Sequence, residues 1–420
     1  MSGVFAIRQE MNGVAEAPDK TWFWELASGV IDADRCIRCG TCVAVCPSDS
    51  IGVGGDGLPA LVKMCTGCSL CWDFCPRGGL RYETTWIEPG SHPAAPPGAR
   101  PAGTPGDLDF PVRISGGGAG DGLGALRESW AARSAGGALG GPRVQDGGVV
   151  TALLVAALEA GDIDGALVAR ASATEAWKGV PYLARTPDEV RECGGSFYNQ
   201  TMALGHLDLS GYDLPAHPRL AVVGTPCEVQ GIRAMQAYPW PRGSHRVEAV
   251  VLTIALACTK SFDYEALMLD EIARRRGVDL DEVGKLDVVR GQLVVWDREG
   301  SELVREPVKA FHGAALKGCD ECADFLGRGA DLTVGNVGSP DGWSSVLVRT
   351  AAGAEAFARA SDRLEVGPLP DPAALARLDA HDRKVAVRSL RRELDPDGAP
   401  WITYTEHVGA YEGSDRAPVG

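Results

Sequence analysis

No stretch of this chain approaches the roughly 20 consecutive apolar residues that a membrane-spanning helix needs. Its longest strongly apolar run is Ala249–Ala257. No direct membrane insertion is therefore expected, and any membrane association has to come through a partner. The opening residues, MSGVFAIRQEMNGVAEA, lack the apolar core of a secretion signal. Positive charge is scarce as well. The 41 lysines and arginines stand against 56 aspartates and glutamates, for a net charge of −15 and a pI near 5.0. That balance speaks against nucleic acid as a partner and against an anionic lipid surface. Cysteine, by contrast, is plentiful, with 13 residues. Without a secretion signal they predict a reducing, cytoplasmic setting and metal ligation in place of disulfides.

Eight of these cysteines fall in two copies of one pattern. Cys36, Cys39, Cys42 and Cys46 read C-x-x-C-x-x-C-x-x-x-C-P, closed by Pro47, and Cys65, Cys68, Cys71 and Cys75 repeat it, closed by Pro76. Each cysteine of the second copy lies 29 residues after its counterpart. This is the spacing of a bacterial two-cluster ferredoxin. Three closely spaced thiolates wrap one face of a cubane, and the fourth is carried away by the chain to the other cluster. The spacing thus assigns Cys36, Cys39, Cys42 and Cys75 to one 4Fe–4S cluster and Cys65, Cys68, Cys71 and Cys46 to a second. A zinc ribbon is the competing reading, but zinc sites use their C-x-x-C motifs as two pairs. Electron transfer is the first functional expectation.

The chain's 420 residues suggest two or three domains, and a hydrophobic content of 45% is enough for an ordinary core. Residues 1–88 read as the ferredoxin-like domain. Residues 89–109 are rich in proline and glycine without apolar periodicity, as a linker is, and suit a ferredoxin domain that swings or docks elsewhere. Residues 110–420 alternate strand-like and helix-like segments, so the fold class expected is α+β of an α/β-like kind, with a mixed sheet flanked by helices. Val149–Ala160 reads as a buried helix after Gly147 and Gly148, Leu220–Val223 and Val247–Ala257 as buried strands, Phe262–Arg276 as an amphipathic helix, and Leu286–Trp296 as a hairpin through Gly291. Leu332–Val334 and Ser345–Arg349 read as strands, and Asp371–Leu394 as a polar helix capped by Asp371.

Four further cysteines follow structural signals. Cys227 comes just after strand Leu220–Val223, Cys258 just after strand Val247–Ala257, and Cys319 and Cys322 form a C-x-x-C in a loop-like start to a helix. If the two strands are parallel neighbours, both sulfurs emerge at the carboxyl edge of the sheet, where open α/β sheets bind ligands. Four thiolates suit a third 4Fe–4S cluster. Buried small hydrophobes, a zinc pair or a redox dithiol are the alternatives. Cys193 is left over, as a buried or spare thiol. Gly147 and Gly148 open a helix whose free N–H groups suit a pyrophosphate, although the GxGxxG fingerprint is absent and a plain turn is the other reading.

The segments KGCDECADFLGRGADLTVGNVGSPDGWSSVLVRT, GTPCEVQGIRAM and GGVVTALLVAAL resemble the beta-subunit family of coenzyme F-420-reducing hydrogenases and dehydrogenases. The fused ferredoxin part is most similar to the input subunit of reduced-F-420 dehydrogenases. Coenzyme F-420 is an 8-hydroxy-5-deazaflavin that carries hydride. The resemblance implies FAD and a 4Fe–4S cluster on Cys227, Cys258, Cys319 and Cys322, which makes three clusters in all. It implies flavin contacts at Gly147, Gly148, Thr151, Ser196, Tyr198, Gly335, Asn336 and Gly338, with no side chain acting as acid or base. Lys260, Arg290 and Lys317 are candidates for the coenzyme's phosphate and acidic tail. The implied activity moves hydride from reduced coenzyme F-420 to FAD, and then single electrons through the clusters to ferredoxin or a redox partner complex. Two other readings keep the fold. One is a ferredoxin-dependent FAD reductase of another organic substrate, as in the related 7-hydroxymethyl chlorophyll a reductases. The other is a non-catalytic relay within a hydrogenase or formate dehydrogenase complex.

Overall fold

The computed structural model of the chain describes residues 22–78, 86–87, 122–124, 126–135, 145–237, 245–390 and 393–394. The expected linker at 89–109 lies outside them. In the ferredoxin-like part, β1 (Ile51–Val53) pairs with β2 (Pro59–Leu61) as a small antiparallel ribbon. A short β3 (Trp86–Ile87) follows it. The central element of the rest is a mixed sheet of eight strands. These are β4 (Glu128–Ser134), β5 (Gly165–Ala171), β6 (Gly179–Ala184), β7 (Leu220–Gly224), β8 (Val250–Leu256), β12 (Leu332–Gly335), β13 (Ser344–Val348) and β14 (Leu364–Pro368). Their order across the sheet is β14-β4-β13-β12-β8-β7-β5-β6. The middle four, β12, β8, β7 and β5, run parallel, and the flanking pairs are antiparallel. Parallel strands covered on both faces carry near-continuous apolar runs. That explains why LAVVG and VVLTIAL are the segments most legible as strands.

One face of the sheet packs against helix Val149–Glu159. That helix has buried residues nearly all round, because helix Pro187–Glu192, whose Val190 joins the same core, covers it from outside. The opposite face packs against helix Pro226–Ala237 through Ile232, Ala234 and Met235. The same apolar cluster contains Ala44, Val45, Leu70 and Phe74 of the ferredoxin-like part. The ferredoxin-like part is thus docked on the sheet domain and shares a core with it. Gly231 permits this approach, since a Cβ there would run into Thr41 Oγ1. Beside the large sheet, β9 (Val283–Val289), β10 (Gln292–Asp297) and β11 (Glu302–Pro307) form a three-stranded antiparallel sheet, with the hairpin turning at Gly291 as the sequence predicts. The last strand among the described residues, β15 (Glu393–Leu394), returns to pair with β3.

Several expectations shift. The strand anticipated over Val247–Ala257 begins at Val250, preceded by a helical turn at His245–Glu248. The helix expected over Phe262–Arg276 is wound as a wide π-type helix over Glu265–Arg274, burying Leu267, Met268 and Ile272. No helix follows Cys319 and Cys322. The segment is a 3-10 turn, Lys317–Glu321, followed by irregular chain to β12, with Gly327 at φ +56 and Asp324 Oδ1 accepting from Arg328 N at 3.0 Å. The polar helix spans Pro372–Leu390, and Asp371 Oδ1 accepts from Ala374 N at 3.0 Å as an N-cap would.

Under the sheet, a buried ion pair ties helix to strand. Asp331 sits 3.0 Å from Arg233, with side chains 6% and 5% exposed. Asp331 Oδ2 also accepts from Thr253 N and Oγ1 at 2.7 and 2.8 Å, and its Oδ1 from Thr350 Oγ1 at 2.6 Å. Removing one partner of such a pair strands the other charge at a cost of about 3–5 kcal/mol. Asp331→Ala is therefore expected to lower the denaturant midpoint by that amount of stability. A loss below about 1 kcal/mol would show that the pair does not hold helix Pro226–Ala237 to the sheet.

Candidate metal centres and flavin cradle

The two ferredoxin repeats build the same local structure. Short helices Thr41–Ala44 and Leu70–Asp73 carry Cys42 and Cys71, and each is preceded by a left-handed residue, Gly40 at φ 81 and Ser69 at φ 67. The sulfurs fall into two groups. Cys42 feels Cys36, Cys39 and Cys75 as close charged neighbours, with Cys71 of the other group further down the ranking. Cys71 feels Cys68, Cys65 and Cys46. Cys46, Cys65, Cys68 and Cys71 also line one cavity, together with Ile51 and Thr66. The crossing of the fourth cysteine is thus present in the geometry.

Burial pushes these thiols up, Cys36 to about 11 and Cys75 to about 12. Cys42 and Cys71 rise well above the ordinary value through burial and the neighbouring sulfurs. Such donors cannot ionise together in a dry interior unless a multiply charged cation compensates them. Thiolates around a lone zinc would stand about 3.8 Å apart, given bonds of about 2.3 Å. Among the described residues no cluster of His, Cys, Asp or Glu is drawn in to hold a single ion. A polynuclear centre fits this donor set. Backbone amides complete it. Arg38 N donates to Cys36 Sγ, Gly67 N to Cys65 Sγ and Arg77 N to Cys75 Sγ, each at 3.4 Å, and Ser50 N donates to Cys46 Sγ at 3.2 Å.

Four of the remaining five cysteines meet at the carboxyl edge of the sheet. β7 and β8 are parallel neighbours, so Cys227, at the start of helix Pro226–Ala237, and Cys258, just beyond β8, emerge on the same side. Cys319 and Cys322 come from the 3-10 turn opposite, with Cys322 N donating to Cys319 O at 3.1 Å. Burial raises the Cys258 thiol well above its ordinary value, and Cys319 and Cys322 add to the effect. For Cys227 burial is again the main cause, and the next is Cys39 of the ferredoxin-like part. Ile37, Cys39 and Cys227 form one buried cluster against which Cys319 packs. Cys193 lies elsewhere, as the C-cap of helix Pro187–Glu192, with its thiol raised by burial to about 11.

The residues expected around the flavin are brought together in part. Gly148, at φ 67, caps helix Val149–Glu159 with no side-chain cap and no acidic residue in the first turn, leaving free N–H donors suited to a pyrophosphate. Thr151 lies in that turn and is buried. Gln145 Nε2 and Val288 N both donate to the Tyr198 hydroxyl at 2.8 Å, and Asn336 Nδ2 donates to Val288 O at 3.2 Å. Tyr198 and Asn336 therefore flank one strand end beside the Gly147 loop. Ser196 lines a small aromatic pocket with Trp177, Phe197, Phe262 and Tyr198 itself. Glycine at 147, 335 and 338 is explained by the protein's own packing. A Cβ there would meet Ala132 O at 2.6 Å, Ala257 Cβ at 2.8 Å and Asp371 O at 2.6 Å. The three candidate cations all carry carboxylate partners: Lys260 pairs with Asp320, Arg290 with Asp341 and Lys317 with Asp34.

Sequence reasoning missed several groups. Arg77 is a buried guanidinium at 1% exposure, and its only sequence signal is its place after Cys75-Pro76. Glu228 lies beside Cys227, its carboxyl pushed by burial to about 7. Asp146, Lys285 and Asp287 surround the cradle, with Lys285 Nζ 2.7 Å from Asp287 and donating to Gln145 O at 2.9 Å.

Asp146 yields a pH prediction. Burial, reinforced by Asp287, raises its carboxyl from 3.8 to about 6. Between those values the folded state holds more protons than the unfolded chain, so stability falls as pH rises through the window. The cost is complete above pH 6, at up to about 3 kcal/mol. Asp146→Asn is expected to be nearly neutral at pH 4 and stabilising at pH 7. Thermal melts across that range check it, and a parallel pH dependence in both proteins would count against it.

Comparison with known proteins agrees with this geometry. Residues 217–372 match the family described as the C terminus of the coenzyme F-420 hydrogenase/dehydrogenase beta subunit, residues 137–208 match the corresponding N-terminal family, and residues 29–81 match a 4Fe-4S dicluster domain. The chain is 33% identical to the beta subunit of coenzyme F-420 hydrogenase from Methanothermobacter thermautotrophicus, over 60% of this chain and 90% of that protein. It is 26% identical to the F-subunit of the F(420)H(2) dehydrogenase from Methanosarcina mazei, over 82% and 87%. It is 30% identical to the coenzyme F-420-dependent sulfite reductase of Methanocaldococcus jannaschii over 79% of this chain, but spans only 47% of that relative's length. Among solved structures, a chain of the F-420-reducing NiFe hydrogenase complex from Methanosarcina barkeri superposes with a TM-score of 0.59 at 30% identity, covering 64% of this chain and 93% of that one. A dicluster repeat docked on a mixed sheet, with four more cysteines gathered at the sheet's carboxyl edge, is thus the form taken here by a member of the coenzyme F-420 hydrogenase/dehydrogenase beta-subunit family.

Proposed function

We propose that this chain is an iron–sulfur flavoprotein that oxidises reduced coenzyme F-420 and delivers single electrons, through three 4Fe–4S clusters, to ferredoxin or to a redox partner complex. One cluster is held by Cys36, Cys39, Cys42 and Cys75, the second by Cys46, Cys65, Cys68 and Cys71, and the third by Cys227, Cys258, Cys319 and Cys322. FAD, when bound, supplies the exchange between a hydride, carried by the deazaflavin, and single electrons, carried by the clusters. The observation that carries the reading is the approach of Cys39 to Cys227, which puts a sulfur of the dicluster part against a sulfur of the sheet domain. Electron flow between the two needs no domain movement. The reading also places the chain in the cytoplasm.

The chain's own groups have positioning roles. The free amides opening helix Val149–Glu159 at Gly148, with Thr151 and the Gly147 turn that holds them in place, are assigned to the flavin pyrophosphate. Tyr198, Ser196, Asn336, Gly335 and Gly338 are assigned to the ring side. Lys260, Arg290 and Lys317 are assigned to the phosphate and acidic tail of coenzyme F-420. Arg290–Asp341 and Lys317–Asp34 are exposed pairs worth about 0–1 kcal/mol each, so an anionic ligand displaces their carboxylates at little cost. The likeness to part of the sulfite reductase relative favours a second reading, in which the same input unit feeds a reductase.

The deciding measurement is anaerobic. Chain reconstituted with iron, sulfide and FAD is mixed with reduced coenzyme F-420 and a viologen or ferredoxin. FAD-dependent oxidation of the coenzyme supports a self-sufficient oxidoreductase. Its absence, while dithionite still bleaches the flavin and clusters, moves the reading to a unit that works only within its complex. A companion prediction concerns the third cluster. Cys319→Ala with Cys322→Ala lowers bound iron by about four atoms per chain. Unchanged iron would leave those cysteines as structural thiols.

A further inference from the structure

The internal repeat supplies its own control, because residues 29 apart are equivalent. Arg38 corresponds to Gly67, and both have left-handed backbone, at φ 53 and φ 67. Arg77 corresponds to Ser48, each two residues after the cysteine that crosses over. Asp73, buried, corresponds to Ala44. Since the fourth cysteine crosses, Arg38 and Arg77 both stand at the Cys36/Cys39/Cys42/Cys75 group, while Asp73 stands beside Cys71 in the other. All three differences push one way, with positive charge at the first group and negative charge at the second. Arg38 is compensated by Asp263 at 2.7 Å. Arg77 reaches further. Its backbone N donates to Cys75 Sγ at 3.4 Å. Its guanidinium donates to Pro76 O at 2.8 Å and to the carbonyl of Gly318, the residue immediately before Cys319. One residue, 1% exposed, thus spans from a first-group cysteine, through its backbone N–H, to the third group, through its guanidinium.

Reducing a cluster adds negative charge, and a fixed positive charge nearby stabilises that state most strongly where water is excluded. We propose that Arg77 sets the potential of both the first ferredoxin-type cluster and the Cys227/Cys258/Cys319/Cys322 cluster, raising both and leaving the Cys46/Cys65/Cys68/Cys71 cluster as the low-potential end of the chain. This rests on the three-cluster reading above. An electron then rests at equilibrium on the first or third cluster, and the second is reached uphill.

The test is an anaerobic potentiometric titration followed by electron paramagnetic resonance on the full chain, with Arg77→Gln and Arg77→Lys beside the wild type. In the Gln variant, two of the three clusters are expected to lose at least tenfold in their reduction constants, which is about 59 mV for one electron. The remaining cluster stays in place, and Lys restores most of the loss. A wild type with fewer than three cluster signals overturns the three-cluster reading and this assignment with it. Three signals of which the Gln variant moves none, or all alike, overturn the assignment alone. Should the neutral variant not fold, Cys65→Ser in the wild-type background decides. The signal it alters must be the one of lowest potential, and finding it anywhere else overturns the proposal.

Discussion

Charge in a dry interior is the constraint on which the rest of this molecule depends. Twelve sulfurs are gathered in three places where water is largely excluded, and sulfurs close together resist ionising. The chain answers with amide donors aimed at cysteine sulfurs two residues back, at Cys36, Cys65 and Cys75. It adds hydroxyls within reach of Cys39 and Cys227 and a buried arginine where two groups meet. Each device costs backbone freedom. Left-handed residues at Arg38, Gly67 and Ser69 are part of folding three cysteines into so short a loop.

The second organising fact is the direction of the strands. Four parallel strands place their carboxyl ends on one edge, and several of the candidate site residues follow them: Cys227 after β7, Cys258 after β8, and Gly335 and Asn336 at the end of β12. A mixed sheet also explains why the ligand edge is asymmetric. Antiparallel β13 and β4 return the chain, bringing Ser344 against Gly147, whose N–H donates to Ser344 Oγ at 3.2 Å. The helix opening at Gly148 is thereby fixed relative to the strand ends.

The dicluster repeat was legible because its ligand spacing is itself the structure, and the crossed grouping follows from chain connectivity alone. The parallel strands were legible because both of their faces are buried. Strand β4, ESWAARS, was not, since it pairs with β13 and β14 and carries no continuous apolar run. Helix Pro187–Glu192 left a readable signal, the capping box of Thr186 and Glu189, which is purely local. The cradle was the hardest part to read. Glycines 147, 335 and 338 suggest a ligand from sequence, whereas in space their missing side chains make room for Ala132, Ala257 and Asp371. Long-range contacts such as Arg77 to Gly318 have no periodicity to betray them.

Docking of the dicluster part changes what the proline-rich segment between the two parts can be for. A chain this rich in proline and glycine invites the idea of a tether on which the clusters swing. The interface argues otherwise. Val45, Leu70 and Phe74 share a core with Ile232 and Met235, and exposing such side chains costs about 1.5–3 kcal/mol each, as an upper estimate. Arg35 adds a two-pronged bond to Glu321 at 2.6 and 2.8 Å. Gly231 and Gly318 let the backbones approach where any side chain would meet Thr41 or the Arg35 carbonyl. Glycine at two positions that face the dicluster part suits a lasting contact, and a shuttle that separates on each turnover gains nothing from it. On the proposed path electrons would cross a fixed junction, whose tuning would fall to residues buried inside it.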